Sequence, residues 1–388
     1  MIMLSAVPEV KYVDPWSKSL PERLRMLATG RRRVAYFYEK ADNSTFRYRI
    51  YNMVQVLNAN GKDVSASYFF LDDLDWMNEI ADIADILVIC RTRYDNRINR
   101  LIGTFRQRRK RVLFDIDDFV FNTDYAHMIL STLDMNPSDP HVWDYWFSYI
   151  SRLGATLKLC DGAITTNDFL ARQIREFADI PVSVIPNFLN REQLDISERI
   201  FSAKRLLKPG EDGLIHFGYF SGSPSHNRDF AIVSQALEAL LEEDHRLGVV
   251  VVGYIEVSPA LERFGSRVKR ISFHDFINLQ RLIGSVEFNL MPLQFNVFTN
   301  CKSELKYFEA AIVGTISIAS PTYTYANAIR HGDNGYLSQV HEWENIMRLA
   351  VKNISEYKEM AERSYEDARA KYAWFNQRER ILSALGFV

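Results

Sequence analysis

The amino-acid sequence predicts an α/β protein of two doubly wound domains. Three observations carry this. From residue 33 onward, short continuous apolar runs alternate with stretches of helical period, the pattern of a parallel sheet covered on both faces. The rhythm halts at Lys208-Pro209-Gly210-Glu211-Asp212-Gly213 and then restarts. A length of 388 residues suits two domains of ordinary size.

Residues 1–30, with Pro8, Pro15 and Pro21, read as an irregular N-terminal extension. The first domain is expected over 31–200. Arg33-Val34-Ala35-Tyr36-Phe37-Tyr38 is its first buried strand, followed by a polar turn and a helix from Phe46 to Asn58. Gly61 stops that helix, and further strands follow at Asp63 to Phe70, Ala84 to Cys90 and Arg111 to Asp115. An aromatic-rich helix from His141 to Cys160 precedes a strand at Asp161 to Thr166, a helix capped by Asn167 or Asp168, and a strand at Val182 to Asn187. Residues 201–212 read as a linker, because the charged stretch before the glycines has no strong period. The second domain, 213–370, repeats the pattern with strands at Leu214 to Phe220, Gly248 to Tyr254, Val268 to Phe273 and Phe288 to Leu293. The remainder, 371–388, continues an amphipathic helical tail.

Composition excludes some functions. The chain is 47% apolar and 25% charged, with a net charge of −2, which disfavours nucleic-acid binding by bulk electrostatics. The clusters Arg31-Arg32-Arg33 and Arg106 with Arg108-Arg109-Lys110-Arg111 sit just before strands and read as solvated turns. Cys90, Cys160 and Cys301 are isolated, with no metal-ligand spacing, as expected in a reducing compartment. No signal-like region or membrane-length apolar run is present, so a cytoplasmic location is expected, with peripheral membrane contact left open.

Polar residues gather where the strands end, which is where doubly wound sheets bind ligands. After the first strand, Ser44 or Thr45 caps a helix whose first turn carries Arg47 and Arg49. Cations are unfavourable there unless an anion sits at the helix start, although reaching into solvent is an ordinary alternative. After the fourth strand, Asp115, Asp117 and Asp118 crowd one turn. Their repulsion raises at least one pKa and suits a general base or a partner for a developing cation. A turn with a helix cap would explain Asp117 or Asp118 but not all three. In the second domain, Gly218, Ser221, Gly222 and Ser223 form a small polar turn that lets backbone N–H groups approach a phosphate, with His226 and Arg228 as further donors. Neither a dinucleotide fingerprint nor a P-loop is present.

The richest stretch runs from Phe298 to Ser320. Lys302, Lys306 and Glu309 recur at i, i+4 and i+7 on one helix face, with Leu305, Phe308 and Ile312 on the other. Asn300 or Thr299 would cap that helix. Two lysines, Ser303 and a carboxylate suit a nucleoside diphosphate, with cations for the phosphates and an acceptor for the ribose. A solvated Lys/Glu face is the competing reading.

Three passages resemble one family in order and spacing. They are Asp161-Gly162-Ala163-Ile164 through Val184-Ile185-Pro186-Asn187, the loop Gly218 to Asp229, and Lys302 to Ser320 followed by Gly332-Asp333-Asn334-Gly335-Tyr336-Leu337. Together they resemble the retaining GT-B glycosyltransferases, the large family ("glycosyl transferases group 1") that builds bacterial polysaccharides and glycolipids. The resemblance covers most of residues 33 to 385. It implies two Rossmann-like domains facing across a cleft, with a UDP-, GDP- or dTDP-linked sugar on the second and a saccharide or lipid-linked acceptor on the first. It further implies retention at the anomeric carbon, no metal or other cofactor, and a cytoplasmic role in lipopolysaccharide or capsule synthesis, with peripheral contact to the inner membrane left open. The tail 371–388 is expected to pack back on the first domain.

Residue by residue, Glu309 matches the family's ribose-binding glutamate, the second of a Glu-x7-Glu pair. The first falls on Cys301, so Cys301 and Asn300 mark the donor-sugar position, where Lys302 or Glu304 are alternative substitutes. Arg228, His226 and Ser223 stand nearest to the family's phosphate-binding cations. Asp115 or Asp117 takes the place of the family's histidine after the fourth strand. The family's glycine loop is replaced by Ser44 to Arg49, leaving Arg47 and Arg49 for an acceptor or anion. The aromatic helix could then line the acceptor cleft or touch a membrane, with core packing as the simpler role for its rings. Two other readings are a D-x-D metal-dependent transferase using Asp115 and Asp117, and a non-catalytic nucleotide-sugar-binding scaffold.

Overall fold

A computed structural model describes residues 7–59, 61, 63–222 and 224–387. Among these residues, twelve strands form two six-stranded parallel sheets. The first contains β1 (Arg32–Phe37), β2 (Val64–Phe69), β3 (Ile86–Cys90), β4 (Arg111–Asp115), β5 (Gly162–Thr165) and β6 (Val182–Val184), in the order β2-β1-β3-β4-β5-β6. The second contains β7 (Ile215–Ser221), β8 (Leu247–Gly253), β9 (Val268–Ile271), β10 (Phe288–Met291), β11 (Ile316–Ala319) and β12 (Tyr336–Leu337), in the order β12-β11-β10-β7-β8-β9. Central strands are buried on both faces: Val34, Ala35, Tyr36 and Phe37 of β1 are all within the core. This is why they read as unbroken apolar runs.

The apolar interior is continuous between the domains. Tyr48 packs edge-on to Phe308, which stacks on Tyr372 at 4.7 Å, and Trp16 stacks on Phe276 at 6.1 Å. The segment leading to Trp16 therefore lies on the second domain. Val10 exchanges two hydrogen bonds with the Asn278 side chain, at 3.0 and 2.9 Å, and Arg281 Nε donates to Val7 O at 2.7 Å. The sequence reading of an irregular start misses a helix at Leu20–Leu27, which begins with Pro21 in its first turn and is closed by a Ser19–Glu22 capping pair.

A helix at Arg191–Lys204 also replaces part of the expected linker. Its inward face mixes Leu194, Ile200 and Phe201 with Gln193, Ser197 and Lys204, so no clean apolar period marks it. Each buried polar group has a partner: Ser197 bonds Gln280 at 3.2 Å, and Lys204 Nζ donates to Val286 O at 2.6 Å and to Thr315 Oγ1 at 2.7 Å. After the helix Tyr357–Tyr372 the chain returns to the first domain. There Leu189 N donates to Tyr372 O at 2.8 Å, and Arg378 of the last helix, Arg378–Ala384, reaches Val56 O and Leu57 O at 3.2 and 3.1 Å. Among the described residues no helix is long and apolar enough to cross a membrane.

The stretch from Phe298 to Ser320 is broken where the sequence suggests continuity. Asn296, not Asn300 or Thr299, caps a short helix at Val297–Asn300, its side chain accepting from Thr299 N at 2.9 Å. A turn follows, and the second helix, Leu305–Ala311, begins after Glu304. Lys306 and Glu309 lie on that helix, whereas Lys302 lies on the turn before it.

Candidate functional site

The C-terminal ends of the two sheets face each other across a cavity of about 470 Å³. Each wall begins where strand order reverses, at β1 between β2 and β3 and at β7 between β8 and β10. The first domain contributes the turn Asp42 to Thr45, then Arg47 and Tyr48, and Asp117 beyond β4. The second contributes Ser221 at the end of β7 and Gly222 after it, Phe273 and His274 after β9, and Lys306 and Glu309. Gly253, paired with Ser221 in the same sheet, leaves room for this turn: its φ is +99°, and a Cβ there would lie 1.8 Å from Ser221 O.

Arg47 and Tyr48 project from a π-helical turn, Arg47–Tyr51, a conformation often kept at functional sites. Both reach Glu309. Its Oε1 accepts from the Tyr48 hydroxyl, from Gln193 Nε2 at 3.0 Å and from Arg47 Nη2 at 3.3 Å. Arg47 also donates to Gln193 Oε1 and to Asn43 O, both at 2.8 Å, and lies 4.6 Å from the Phe276 ring centre. Among the described residues no hydrogen bond engages Glu309 Oε2, so this carboxylate is oriented from the first domain and keeps one oxygen for the cavity.

Lys306 is one turn before Glu309 on the same wall. Its Nζ lies 5.2 Å from the Tyr219 ring centre and has no hydrogen bond among the described residues. Burial pushes its amine down to about 8, Lys302 adds to this, and Asp229 and Glu309 oppose it. An amine poised this way is stabilised by an incoming anion.

The three acidic residues after β4 separate. Asp115 is fully buried and forms a two-pronged ion pair with Arg49, Nε–Oδ1 at 2.7 Å and Nη2–Oδ2 at 3.0 Å. Burial pushes the Asp115 carboxyl up to about 6 against the pull of Arg49. Arg49 also donates to Ile185 O at 2.8 Å and Asn187 Oδ1 at 3.2 Å. Arg49 is therefore not an acceptor or anion site, and Asp115 is not at the cavity. The D-x-D reading fails on the same observation, since only Asp117 of that pair reaches the cleft. Among the described residues no group of three His, Cys, Asp or Glu side chains is placed to hold a metal ion. Asp117 accepts from Thr45 Oγ1 and Arg91 Nη1, both at 3.2 Å. Asp118 lies 3.8 Å from Lys302 Nζ and 3.9 Å from Arg91 Nη2, and its Oδ1 has no hydrogen bond among the described residues.

Other expectations are redirected. Gly218 lies inside β7, where a Cβ would meet the Phe220 ring at 2.7 Å, so it serves packing rather than a phosphate loop. Ser223 lies outside the described residues. Arg228 spans the domain gap elsewhere, pairing with Asp134 at 2.6 Å and Ser131 O at 2.7 Å. His226 is turned to Asp229 at 2.9 Å. Asn300 is consumed by Asn296 O and Tyr323 N, both at 2.8 Å. Cys301 is fully buried, with its carbonyl bonded by Asn167 Nδ2 at 2.8 Å, so its thiol is not offered to a sugar. Ser303 is buried, and its hydroxyl has no partner among the described residues.

Sequence reasoning missed Arg91, Tyr48, Gln193 and the Phe273–His274 pair. Arg91 follows β3 directly with a positive φ of 37°, unusual for a residue with a side chain, and its position at a strand end was the available signal. Gln193 had none, because it acts from a helix whose period is masked.

Two facing doubly wound sheets with the ligand-sized cavity between them define the GT-B class of glycosyltransferase fold. Residues 215–355, in the second domain, match the family described as "Glycosyl transferases group 1". A structure of Anabaena Alr3699/HepE in complex with UDP superposes with a TM-score of 0.60 at 13% identity, covering 92% of this chain and 100% of that one. Sucrose-phosphate synthase from Thermosynechococcus elongatus gives 0.57 at 13% identity, covering 92% and 98%. A UDP-forming α,α-trehalose-phosphate synthase from Burkholderia xenovorans gives 0.58 at 10% identity, covering 92% and 99%. At these identities the likeness is one of fold. No curated protein matches the chain by sequence.

Proposed function

We propose that this protein transfers a sugar from a nucleotide-sugar, of which a UDP-sugar is the first to test, to a saccharide or glycolipid acceptor. The transfer retains anomeric configuration, needs no metal, and belongs to bacterial cell-surface polysaccharide synthesis in the cytoplasm. The observation that carries the reading is Lys306 and Glu309 together on the second-domain wall of the interdomain cavity. UDP is bound in the Anabaena structures, one of which also holds glucose, and this makes it the first nucleotide to try.

In this reading Glu309 Oε2 accepts the ribose hydroxyls. Phe273 and His274 border the base. Charge developing on the leaving diphosphate meets Lys306 and the backbone at Ser221 and Gly222. Asp117, held by Arg91 and Thr45, faces the oxocarbenium-like centre from across the cleft.

Calorimetry with UDP is the first test. Glu309→Ala is expected to weaken UDP by about tenfold, as for a lost hydrogen bond to a charged group, while circular dichroism stays unchanged. Unaltered affinity would remove Glu309 from the site. Arg228→Ala should leave UDP affinity within about threefold, since its partners are Asp134 and Ser131. Product anomeric configuration by NMR and turnover in EDTA decide retention and metal independence. The burial of Cys301 where a donor-sugar carboxylate was expected favours one second reading, a binding scaffold without turnover. Release of UDP from any UDP-sugar, even by slow hydrolysis, discards it.

A further inference from the structure

The first three turns of the helix Pro140–Lys158 are aromatic: Trp143, Trp146 and Tyr149 lean partly on the first-domain core, and Tyr145 and Phe147 stand out from it. Tyr145 is 58% exposed, Phe147 is 40% exposed, and Trp146 and Tyr149 are half-buried. Tyr145 and Tyr149 lie nearly parallel, 20° apart with centroids at 6.3 Å, and Trp146 meets the Tyr149 ring edge-on at 5.5 Å. This face continues to the cleft. Arg93 lies 5.6 Å from the Tyr149 ring centre and is held by Glu39 through two bonds of 2.8 Å. Arg93 lies two residues after Arg91, whose Nη1 bonds Asp117 at the cavity wall at 3.2 Å. A row of rings edged by an ion pair thus leads from Asp117 to the surface.

We propose that this row is the platform for a saccharide acceptor, whose sugar rings stack on Tyr149 and Tyr145 while its terminal residue reaches Asp117. The proposal rests on the glycosyltransferase reading above. A pyranose has apolar C–H faces that fit the electron-rich face of an aromatic ring, and equatorial hydroxyls that fit phenols, a guanidinium and a carboxylate at the rim. Charge argues against a lipid surface as the occupant: from Pro140 to Ser151 the helix has no Lys or Arg, and it exposes Asp144.

The test uses the full chain, with Tyr145→Ala and Tyr145→Phe beside wild type, on an array of immobilised oligosaccharides with hexose, N-acetylhexosamine, deoxyhexose and uronic acid backbones. Wild type should be retained by a subset of these. Tyr145→Ala should weaken that retention about tenfold, and Tyr145→Phe, which keeps the ring, by no more than about threefold. UDP affinity should be the same in all three proteins. Absence of wild-type retention overturns the proposal, as does retention untouched by Tyr145→Ala. Binding to phosphatidylethanolamine–phosphatidylglycerol vesicles that Tyr145→Ala abolishes would assign the face to a membrane instead. Failure of UDP to bind wild type sinks the donor reading alone, because the array still decides the saccharide platform.

Discussion

Replacing Lys306 with methionine is expected to weaken UDP about 10- to 100-fold, the value of a charge-assisted contact to phosphate, and to lower turnover about 10²- to 10³-fold. The larger kinetic effect follows because leaving-group charge grows toward the transition state, so the cation is worth more there than in the ground state. Methionine keeps the length and the packing against Tyr219, so the fold should survive. The pH dependence provides an independent check. The Lys306 amine is held down to about 8 in the free protein, chiefly by burial. Its charge is therefore present at pH 7 and lost as pH rises through about 8. UDP affinity of wild type should fall between pH 7 and pH 9.5. Lys306→Met should lack this fall, and Lys306→Arg should restore affinity and carry it to higher pH, because a guanidinium stays charged there. Wild-type affinity that is flat across this range would remove Lys306 from the phosphate site.

Legibility in the sequence followed burial. Strands such as β1 and β8, covered on both faces, are continuous apolar runs, and a parallel sheet has few other ways to look. The restart after Gly213 was visible for the same reason. Within the site, Lys306 and Glu309 were legible because residues three apart on one helix share a face. The placement of Lys302 was not, because Asn296 caps a separate short helix, Val297–Asn300, by accepting from Thr299 N, and this leaves Lys302 on the turn that follows. Arg47 and Arg49 look equivalent in sequence. Two residues apart on a helical turn, they point to different walls, and one meets Glu309 while the other meets Asp115. Asp115 and Asp117 diverge in the same way, as neighbours but one in a strand. Pairings of this kind are set by tertiary contacts across 66 to 262 residues of chain, which no local pattern carries.

Arg49→Met should be among the most destabilising single substitutions in the first domain, costing about 3–5 kcal/mol in denaturant unfolding. The guanidinium is fully buried and satisfies Asp115, Ile185 O and Asn187 together. Without it, an acid at the end of β4 is left in a low-dielectric interior and two acceptors lose a donor. Removing both charges reverses the sign of the argument. Arg49→Met with Asp115→Leu exchanges a desolvated pair for apolar volume, and most of the lost stability should return. Nucleotide binding and turnover should return with it, because Asp117 is held by Arg91 and Thr45 rather than by the buried pair. A double variant that folds and binds UDP but does not turn over would overturn this division and return Asp115 to the chemistry. Wild-type turnover in the double variant leaves Asp117, at the cavity wall, as the acid of this turn that faces the reacting sugar.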